Sequence, residues 1–263
     1  MIQEHGVPGL TPRTLIRMPE DHFGPDVAAR YDEDSAAMFA PEALDPAVDR
    51  LAALAGDRPA LELAIGTGRV GVPLCERGVP VAGIELSEPM AAQLRAKVDE
   101  ERLPVAIGDM ATTVVPGAGT FTLVYLVYNT ISNLLTQDEQ VECFVNAARH
   151  LAPGGRFVIE LYVPPLRRLP PTQSAVPFDV ADDHVGFDTF DLVTQSCVSH
   201  HFSRAEDGSW RRGEGHFRFV WPAELDLMAR IAGLRFEARY ADWDRSPFTD
   251  ESTKHVSVWQ KPA

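Results

Sequence analysis

Three glycines follow a short apolar run in LELAIGTGRVG, at Gly66, Gly68 and Gly71. This G-x-G-x-x-G spacing is typical of a tight turn between a strand and a helix, where the backbone can approach a ligand closely. Glu85 ends the next apolar run, where a carboxylate can accept hydrogen bonds from both hydroxyls of a ribose. The glycines and Glu85 together predict a nucleoside-binding loop.

Two ligands with a ribose suit such a loop: a dinucleotide such as NAD, and S-adenosylmethionine, which carries no phosphate. Residues 62, 64 and 66 share one face of a strand, so the Glu62 carboxylate is expected beside the loop. A pyrophosphate would repel it, whereas an ammonium or sulfonium at ~4 Å would gain about 4 kcal/mol at an effective dielectric constant of 20. The sign of this electrostatic interaction favours S-adenosylmethionine, while an NAD-dependent oxidoreductase remains an alternative.

The elements that must position these residues alternate regularly. Helix-like runs separate five strand-like runs, and this order is typical of a parallel sheet covered on both faces. The segment LAPGGRFVIEL predicts a helix end, a Pro-Gly-Gly turn and a strand start. The strand-like runs are 61–65, 80–85, 104–107, 121–127 and 156–162, and the helix-like runs are 69–77, 88–99 and 137–150.

The pattern differs on either side of this core. Residues 1 to about 30 have no periodicity and predict a loosely ordered arm, and 35–55 predict two helices broken at Pro41 and Pro46. The aromatic and β-branched stretch before Trp221 predicts an antiparallel hairpin or three-stranded sheet with an Asp-Gly turn in EDGSW. A helix at 222–232 that Pro222 opens and Gly233 ends, and strands near 235–241 and 254–260, follow.

We therefore expect four segments. They are an N-terminal arm and helical cover (1–55), an α/β core that binds S-adenosylmethionine (56–163), an antiparallel β cap on the acceptor side (164–221) and a C-terminal completion of the core (222–263).

The net charge and the cysteine content indicate the class of substrate and the cellular compartment. With 38 acidic against 24 basic residues the net charge is -14, so a small-molecule or peptide substrate is expected and no nucleic acid. Three separated cysteines without C-x-x-C, and an N-terminus unlike a secretory signal, favour a cytoplasmic protein with reduced thiols. No apolar run is long enough for a bilayer, so no membrane partner is expected. The sequence does not indicate the oligomeric state.

Five segments resemble, in order, the motifs of class I S-adenosylmethionine-dependent methyltransferases. They are LELAIGTGR, VAGIELSEPM, AIGDM, FTLVYLVYNTISNLL and HLAPGGRFVIEL. The likeness runs from about Tyr31 to the C-terminus, although Ala64 stands where many members have a further glycine. It implies S-adenosyl-L-methionine as cofactor and an α/β, Rossmann-like sheet that is mostly parallel, has seven strands and is flanked by helices, with a small antiparallel β cap.

The resemblance also implies roles in binding the cofactor. Glu85 would contact the ribose, Leu86 and Met90 the adenine ring, Asp109 the adenine amino group, and Met110 the ring edge. Tyr31 is expected as a wall of the pocket, Arg69 near the donor carboxylate, and Tyr128 and Asn129 against the donor at the end of the fourth strand. The complete expected set is Tyr31, Glu62, Ala64, Gly66, Gly68, Arg69, Glu85, Leu86, Met90, Asp109, Met110, Leu126, Tyr128 and Asn129.

Candidates on the acceptor side follow the fourth strand and lie in the cap. Asn133 is expected to face the acceptor, and His201 and His216 are candidate bases. His200 and His201 are adjacent in a strand, so only one can face inward, and His184 in ADDHVG resembles a turn residue. The DDH cluster lacks partners elsewhere, so no metal site is expected. ADWDRSPF is expected either to bring Trp243 and Arg245 to the acceptor side or to form an ordered loop held by Trp243.

The layout, with an antiparallel insertion and a cover containing RYDED, resembles bacterial small-molecule methyltransferases, including amino-sugar N-methyltransferases. It implies N-methylation of an amine in a natural product, such as an amino sugar or a peptide N-terminus. Carboxyl or hydroxyl O-methylation and a non-catalytic S-adenosylmethionine-binding protein remain alternatives. The net charge and YNTISN, in place of an Asn-Pro-Pro-Tyr motif, disfavour nucleic-acid methylation.

Overall fold

The larger of two β-sheets carries the glycine-rich turn. The computed structural model describes residues 23–205 and 207–263, and in these ranges the larger sheet has seven strands. These are β1 (Ala60–Leu63), β2 (Val81–Glu85), β3 (Val105–Ile107), β4 (Phe121–Leu126), β5 (Leu151–Tyr162), β10 (Arg235–Tyr240) and β11 (Lys254–Gln260).

The strand order of this sheet is β10-β11-β5-β4-β1-β2-β3. β1 to β5 pair in parallel, and only β11 runs antiparallel to its neighbours β5 and β10. After β3 the chain returns to the other side of β1, which makes the β1/β4 junction the point where loops diverge and leave a crevice. The predicted fold class is confirmed.

Helices cover both faces of the sheet because the apolar side chains of its strands alternate. Leu61 and Val124 pack toward one pair of helices, and Leu123 and Tyr125 pack toward the other three. The first pair is α5 (Gln137–His150) and α6 (Pro222–Ile231), and the other three are α2 (Pro41–Ala55), α3 (Gly71–Glu76) and α4 (Glu88–Arg95). Among the described residues, no helix is both long and apolar enough to cross a membrane.

The N-terminal cover is more regular than expected. Residues 1–22 of the expected arm lie outside the described residues, but a helix, α1, spans Pro25–Asp34, so the arm does not extend to residue 30. Pro41 begins α2, as the predicted break requires, but Pro46 lies inside a continuous helix. A proline there removes one helical hydrogen bond. Burial of Val48 and Leu51, both 0% exposed, holds α2 together despite that loss.

The Pro-Gly-Gly segment is part of β5 and not a free turn. α5 ends at His150, β5 begins at Leu151, and the pairing of β5 with β4 shifts register between Leu151 and Arg156. Gly154 has φ +80° there, which a glycine adopts without strain. The predicted start at 156 marks where regular pairing begins after this bulge.

The smaller sheet has four antiparallel strands in sequence order, one more than the largest number expected. They are β6 (Ala175–Val180), β7 (His184–Asp191), β8 (Ser196–Arg204) and β9 (Trp210–Arg218). The strand missing from the prediction is β6, which contains Pro177 and lies at the sheet edge with most of its residues exposed. An edge strand pairs on one side only, so it tolerates a proline and needs no strict alternation of apolar residues. Its sequence therefore lacks the usual signals of a strand.

Candidate active site

A cleft lies at the carboxyl ends of β1, β2 and β4, next to the crevice of the large sheet. Its space, including solvent at the mouth, is about 760 Å³. Of the expected cofactor-binding residues, eight line it: Tyr31, Ala64, Gly66, Glu85, Leu86, Met90, Asp109 and Met110. Phe23, Gly108, Thr130, Asn133 and Leu134 complete the lining.

Glu85 is held in place by the backbone of the glycine turn. Its Oε2 accepts a hydrogen bond from the Gly66 N–H at 2.7 Å, and its Oε1 accepts one from the Ser87 N–H at 2.8 Å. Ala64 and Gly66 have φ of +52° and +60°. This left-handed conformation costs an alanine roughly 1–2 kcal/mol relative to glycine. The turn therefore orients one carboxylate at the cleft, at some cost in backbone strain.

Asp109 provides a second carboxylate in the cleft wall. Its Oδ1 accepts from the Ala111 N–H at 2.8 Å, and burial raises its pKa above the usual range for an aspartate. The apolar side chains of Met90 and Met110 line the same cleft. Two carboxylates, those of Glu85 and Asp109, thus share this space with apolar side chains.

Glu62 does not line the cleft, and this corrects the charge argument made from the sequence. It is 3% exposed and accepts from the Tyr125 hydroxyl at 2.9 Å, with the Gly71 backbone N–H also donating to it. Burial raises the pKa of Glu62 to about 8, so the carboxyl is mostly protonated at pH 7. A Cβ at Gly71 would lie 2.7 Å from Glu62 Oε2, so this glycine makes room for the carboxyl group.

Three more expected cofactor residues lie outside the cleft lining. Leu126 is 1% exposed and belongs to the core under α5, because β4 alternates and Leu126 shares the face of Val124. Gly68 packs against α4 with φ +83°. Arg69 precedes α3 and does not start it, and its guanidinium lies 5.1 Å from the Tyr128 ring centroid.

The N-terminal cover closes one side of the cleft through contacts that sequence reasoning missed. The rings of Phe23 and Tyr31 meet edge to face at 5.9 Å, and Ser87 Oγ donates to the Phe23 carbonyl at 2.8 Å. Asp32 of α1 accepts from Thr67 Oγ1 at 2.5 Å and pairs with Lys97. Only tertiary packing brings these pairs together, although RYDED indicated a cover.

A second cavity opens beside the cleft, between the loop after β4 and the small sheet. Its space is about 1010 Å³, also counted with open solvent. It shares Phe23, Tyr31, Thr130 and Asn133 with the cleft. The remaining lining residues are Tyr128, Asn129, Ser132, Tyr162, Pro165, Asp188, Cys197, Ser199 and Phe217. Asn133, expected on the acceptor side, thus stands at the junction of the two spaces.

Tyr128 and Asn129 line this second cavity and not the cleft where they were expected. Both have left-handed backbones, with φ of +55° and +63°. Asn129 Oδ1 accepts from the Tyr162 N–H at 2.7 Å, and Glu160 Oε2 accepts from the Tyr128 N–H at 3.1 Å. These bonds to β5 turn the loop toward the small sheet, which sequence spacing alone does not reveal.

The small sheet divides the histidines between its faces. His201 shares the face of Cys197 and Ser199, which line the second cavity, although His201 itself lies outside that lining. His216 pairs with Val198 on the other face and is exposed, so it cannot reach the cavity. His184 is not a turn residue: it begins β7, and its ring contacts Asp179 and His201.

The remaining expectations concern a metal and the segment ADWDRSPF. Among the described residues, no group of three or more His, Cys, Asp or Glu side chains is placed to hold a metal ion. Trp243 is 6% exposed and its Nε1 donates to Glu160 Oε1 at 2.8 Å, while the Arg245 guanidinium lies over the Tyr240 ring. The segment is therefore the loop held by Trp243, and neither residue lines the second cavity.

One sequence signal could have identified more of the second cavity. Residues 197, 199 and 201 alternate along β8, so a face that holds one of them holds all three. Asp188 lies opposite Ser199 on β7. The strand pairing that joins them was not predicted, and Asp188 was therefore missed.

Comparison with known proteins agrees with this geometry. Residues 60–155 match the family described as a methyltransferase domain. The structure of the CcbJ methyltransferase from Streptomyces caelestis is 36% identical, covers 92% of this chain and 98% of its own, and has a TM-score of 0.79.

Two further relatives are more distant. The cypemycin N-terminal methyltransferase of a Streptomyces species is 26% identical over 243 residues, which are 88% of this chain and 97% of the relative. CalS10 of Micromonospora echinaspora, an amino pentose methyltransferase solved with bound S-adenosylmethionine, is 20% identical, covers 88% of this chain and 96% of its own, and has a TM-score of 0.66. At that identity it shows a common fold. The chain belongs to the class I S-adenosylmethionine-dependent methyltransferases.

Proposed function

We propose that this enzyme transfers the methyl group of S-adenosylmethionine to an amine nitrogen of a small molecule or a peptide, in the biosynthesis of a natural product. The observation that carries the proposal is Asp188 in the second cavity, which adjoins the cleft. Among the described lining residues of that cavity none is Lys, Arg or His. An ammonium would be attracted there and a carboxylate acceptor would be repelled.

The size of this preference follows from Coulomb's law. At ~4 Å from Asp188 a unit charge gains or loses about 1 kcal/mol in bulk water and about 4 kcal/mol at an effective dielectric constant of 20. Asp188 is half-buried, so its environment lies between these limits. An amine and a carboxylate thus differ by roughly twice that energy, enough to favour the amine at least tenfold.

The cleft fits S-adenosylmethionine in its chemistry. We propose that Glu85 accepts hydrogen bonds from the ribose hydroxyls and Asp109 one from the adenine amino group, with Leu86, Met90 and Met110 packed on the ring. Glu85 is already oriented by two backbone donors, and Gly108 lines the cleft at a position where a Cβ would collide with Thr113. The two carboxylates also suit a cofactor with net positive charge.

The chain's own task is to align the acceptor, since the bound cofactor supplies an already activated methyl group. Tyr31, Thr130 and Asn133 border both spaces, so they can hold the acceptor nitrogen in line and exclude water. We propose that Asn133 faces the acceptor at this junction. An acceptor ammonium must also lose a proton to become nucleophilic.

The relatives support the amine assignment. One is named a cypemycin N-terminal methyltransferase and another an amino pentose methyltransferase involved in calicheamicin biosynthesis. Both names describe methylation within natural products, one on a peptide N-terminus and one on a sugar.

Two experiments test the proposal. Calorimetric titration with S-adenosylmethionine, S-adenosylhomocysteine and NAD should show micromolar binding of the two sulfur ligands alone. A panel of acceptors then includes two kinds of amine, dipeptides with free N-termini and amino sugars, and two kinds of oxygen acceptor, benzoic acids and catechols. Mass spectrometry should detect a gain of about 14 Da, the mass of one CH2, on the amines alone. Turnover restricted to the acids or catechols would overturn the amine assignment, and binding without any turnover would indicate a non-catalytic binding protein.

A further inference from the structure

A chain of hydrogen-bonded polar groups leads from the second cavity to the surface of the small sheet. Ser199 Oγ donates to Asp188 Oδ1 at 2.7 Å and lies 3.3 Å from His201 Nε2. His201 Nδ1 lies 3.1 Å from His184 Nε2, and His184 Nδ1 donates to Asp179 Oδ2 at 2.5 Å. We call these five residues the Asp188–Asp179 chain.

Burial decreases along the chain from Ser199 to Asp179. Asp188 and Ser199 line the second cavity, and Ser199 is 8% exposed. At the other end the side chains of His184 and Asp179 are 26% and 48% exposed. The chain therefore connects a site beside the reaction to bulk water.

The sheet makes room for the two imidazole rings. Gly186 lies opposite His201 on β7, and a Cβ there would collide with the ring of Phe178. With no side chain at Gly186, the Phe178 ring packs 5.2 Å from the His201 ring centroid and shields the pair from one side. On β9 the residue opposite His201 is also a glycine, Gly213.

We propose that the Asp188–Asp179 chain carries the proton released by the acceptor amine from the second cavity to solvent. The inference rests on the proposed function, because an amine loses one proton for each methyl group gained whereas a carboxylate acceptor loses none. Asp188, which lines the cavity and carries the carboxylate, is the base, and the other four are positioning and relay residues.

Each transfer breaks one bond to hydrogen and forms one. The acceptor N–H bond breaks as Asp188 is protonated, and the Ser199 hydroxyl then turns from Asp188 to His201. Asp188 passes its proton to Ser199 Oγ while the Ser199 hydroxyl proton moves to His201 Nε2. The His201 Nδ1 proton moves to His184 Nε2, and the His184 Nδ1 proton reaches Asp179 or water. One proton leaves the cavity, and nothing is oxidised or reduced.

The charges around His201 suit a neutral acceptor of protons. Burial, and then the neighbouring His184, lower the pKa of His201, while Asp188 opposes them, so its ring is mostly neutral at pH 7. His200, the next residue, lowers it further. His201 also lines a groove at the protein surface. The other charged groups that line this groove are Arg30 and Asp34 on α1, Arg204 and Asp207 near the β8–β9 turn, and Arg211 and Arg212 on β9.

The first test follows the imidazoles by NMR in the protein alone, with 15N-labelled histidine between pH 5 and 9. The substitution Asp188→Asn should lower the pKa of His201, because it removes the carboxylate that stabilises the imidazolium. Titration curves of His201 that are identical in Asp188→Asn and in the wild type would overturn the proposal, whatever the acceptor proves to be.

The second test uses the amine that the acceptor panel identifies. Ser199→Ala should leave the Kd for S-adenosylmethionine unchanged and lower kcat at pH 7 by about tenfold or more. At pH 10 an alkyl amine is partly neutral in solution, so the loss should shrink to about threefold. His216→Gln, on the opposite face, is the matched control and should behave as wild type.

An equal loss of kcat at both pH values would mean that Ser199 acts through structure alone and would overturn the relay. If no amine in the panel is methylated, the proposed function fails, and the NMR titrations still report separately whether the chain is coupled.

Discussion

The buried Glu62 makes a strong prediction about stability and pH. Burial raises the pKa of Glu62 from 4.5 to about 8 in the folded protein. Between these values the folded state holds a proton that the unfolded state has released, so the free energy of unfolding falls as pH rises. At about 1.4 kcal/mol per pKa unit the total loss is roughly 5 kcal/mol, complete above pH 8.

The substitution Glu62→Gln isolates this contribution. Glutamine matches the protonated acid in shape and can still accept from the Tyr125 hydroxyl. The variant should unfold with about the wild-type free energy at pH 5 and exceed it by several kcal/mol at pH 9. Urea unfolding at both pH values measures the difference, and all other titrating groups cancel in it. Glu101→Gln is the control, since Glu101 is exposed and its substitution removes no buried carboxyl.

The same variant tests whether Glu62 contributes charge to cofactor binding. Since the carboxyl is mostly protonated at pH 7, Glu62→Gln should change the Kd for S-adenosylmethionine by less than about threefold (under 1 kcal/mol). A difference in unfolding free energy that stays constant from pH 5 to 9, together with a large loss of cofactor affinity, would refute the protonated carboxyl and restore the charge argument.

Three further substitutions test the site. Glu85→Ala should weaken S-adenosylmethionine binding by about 1–3 kcal/mol in calorimetry, because it leaves the buried ribose hydroxyls without the acceptor proposed for them; unchanged affinity would place the cofactor elsewhere. Asn133→Ala should lower turnover while donor affinity stays nearly intact, and loss of donor binding would contradict its place on the acceptor side. Gly71→Ala should lower the free energy of unfolding by about 1–3 kcal/mol, because its Cβ would clash with the side chains of Glu62 and Ile65. An unchanged midpoint of urea unfolding would show that the side chains around Glu62 rearrange to accommodate the Cβ.

The core of the fold was readable from the sequence because local signals coincide with tertiary roles there. β1, β2 and β4 are short apolar runs followed by turn residues, and a parallel sheet requires such strands to be buried on both faces. Pro46 in α2 misled the prediction, because packing of the surrounding helix tolerates a residue that disfavours it locally. β6 was missed because an edge strand pairs on one side only and most of its residues are exposed.

For the candidate site, residues near the glycine turn were predictable and those across the second cavity were not. Ala64, Gly66 and Glu85 line the cleft because strand ends and the turn place them there within a short stretch of chain. Glu62 and Leu126 point elsewhere because the face of a strand side chain depends on which helices pack on each side.

By itself the sequence determined the class of protein, the glycine turn, the Glu85 carboxylate and the α/β order, because each of these depends on residues close together in the chain. Only the tertiary structure decided that Glu62 is buried against Tyr125, that Phe23 and Tyr31 close the cleft, and that Asp188 lines the second cavity. Contacts between distant segments arise from strand register and helix packing, and a one-residue change of register would reverse the face of every side chain in the small sheet.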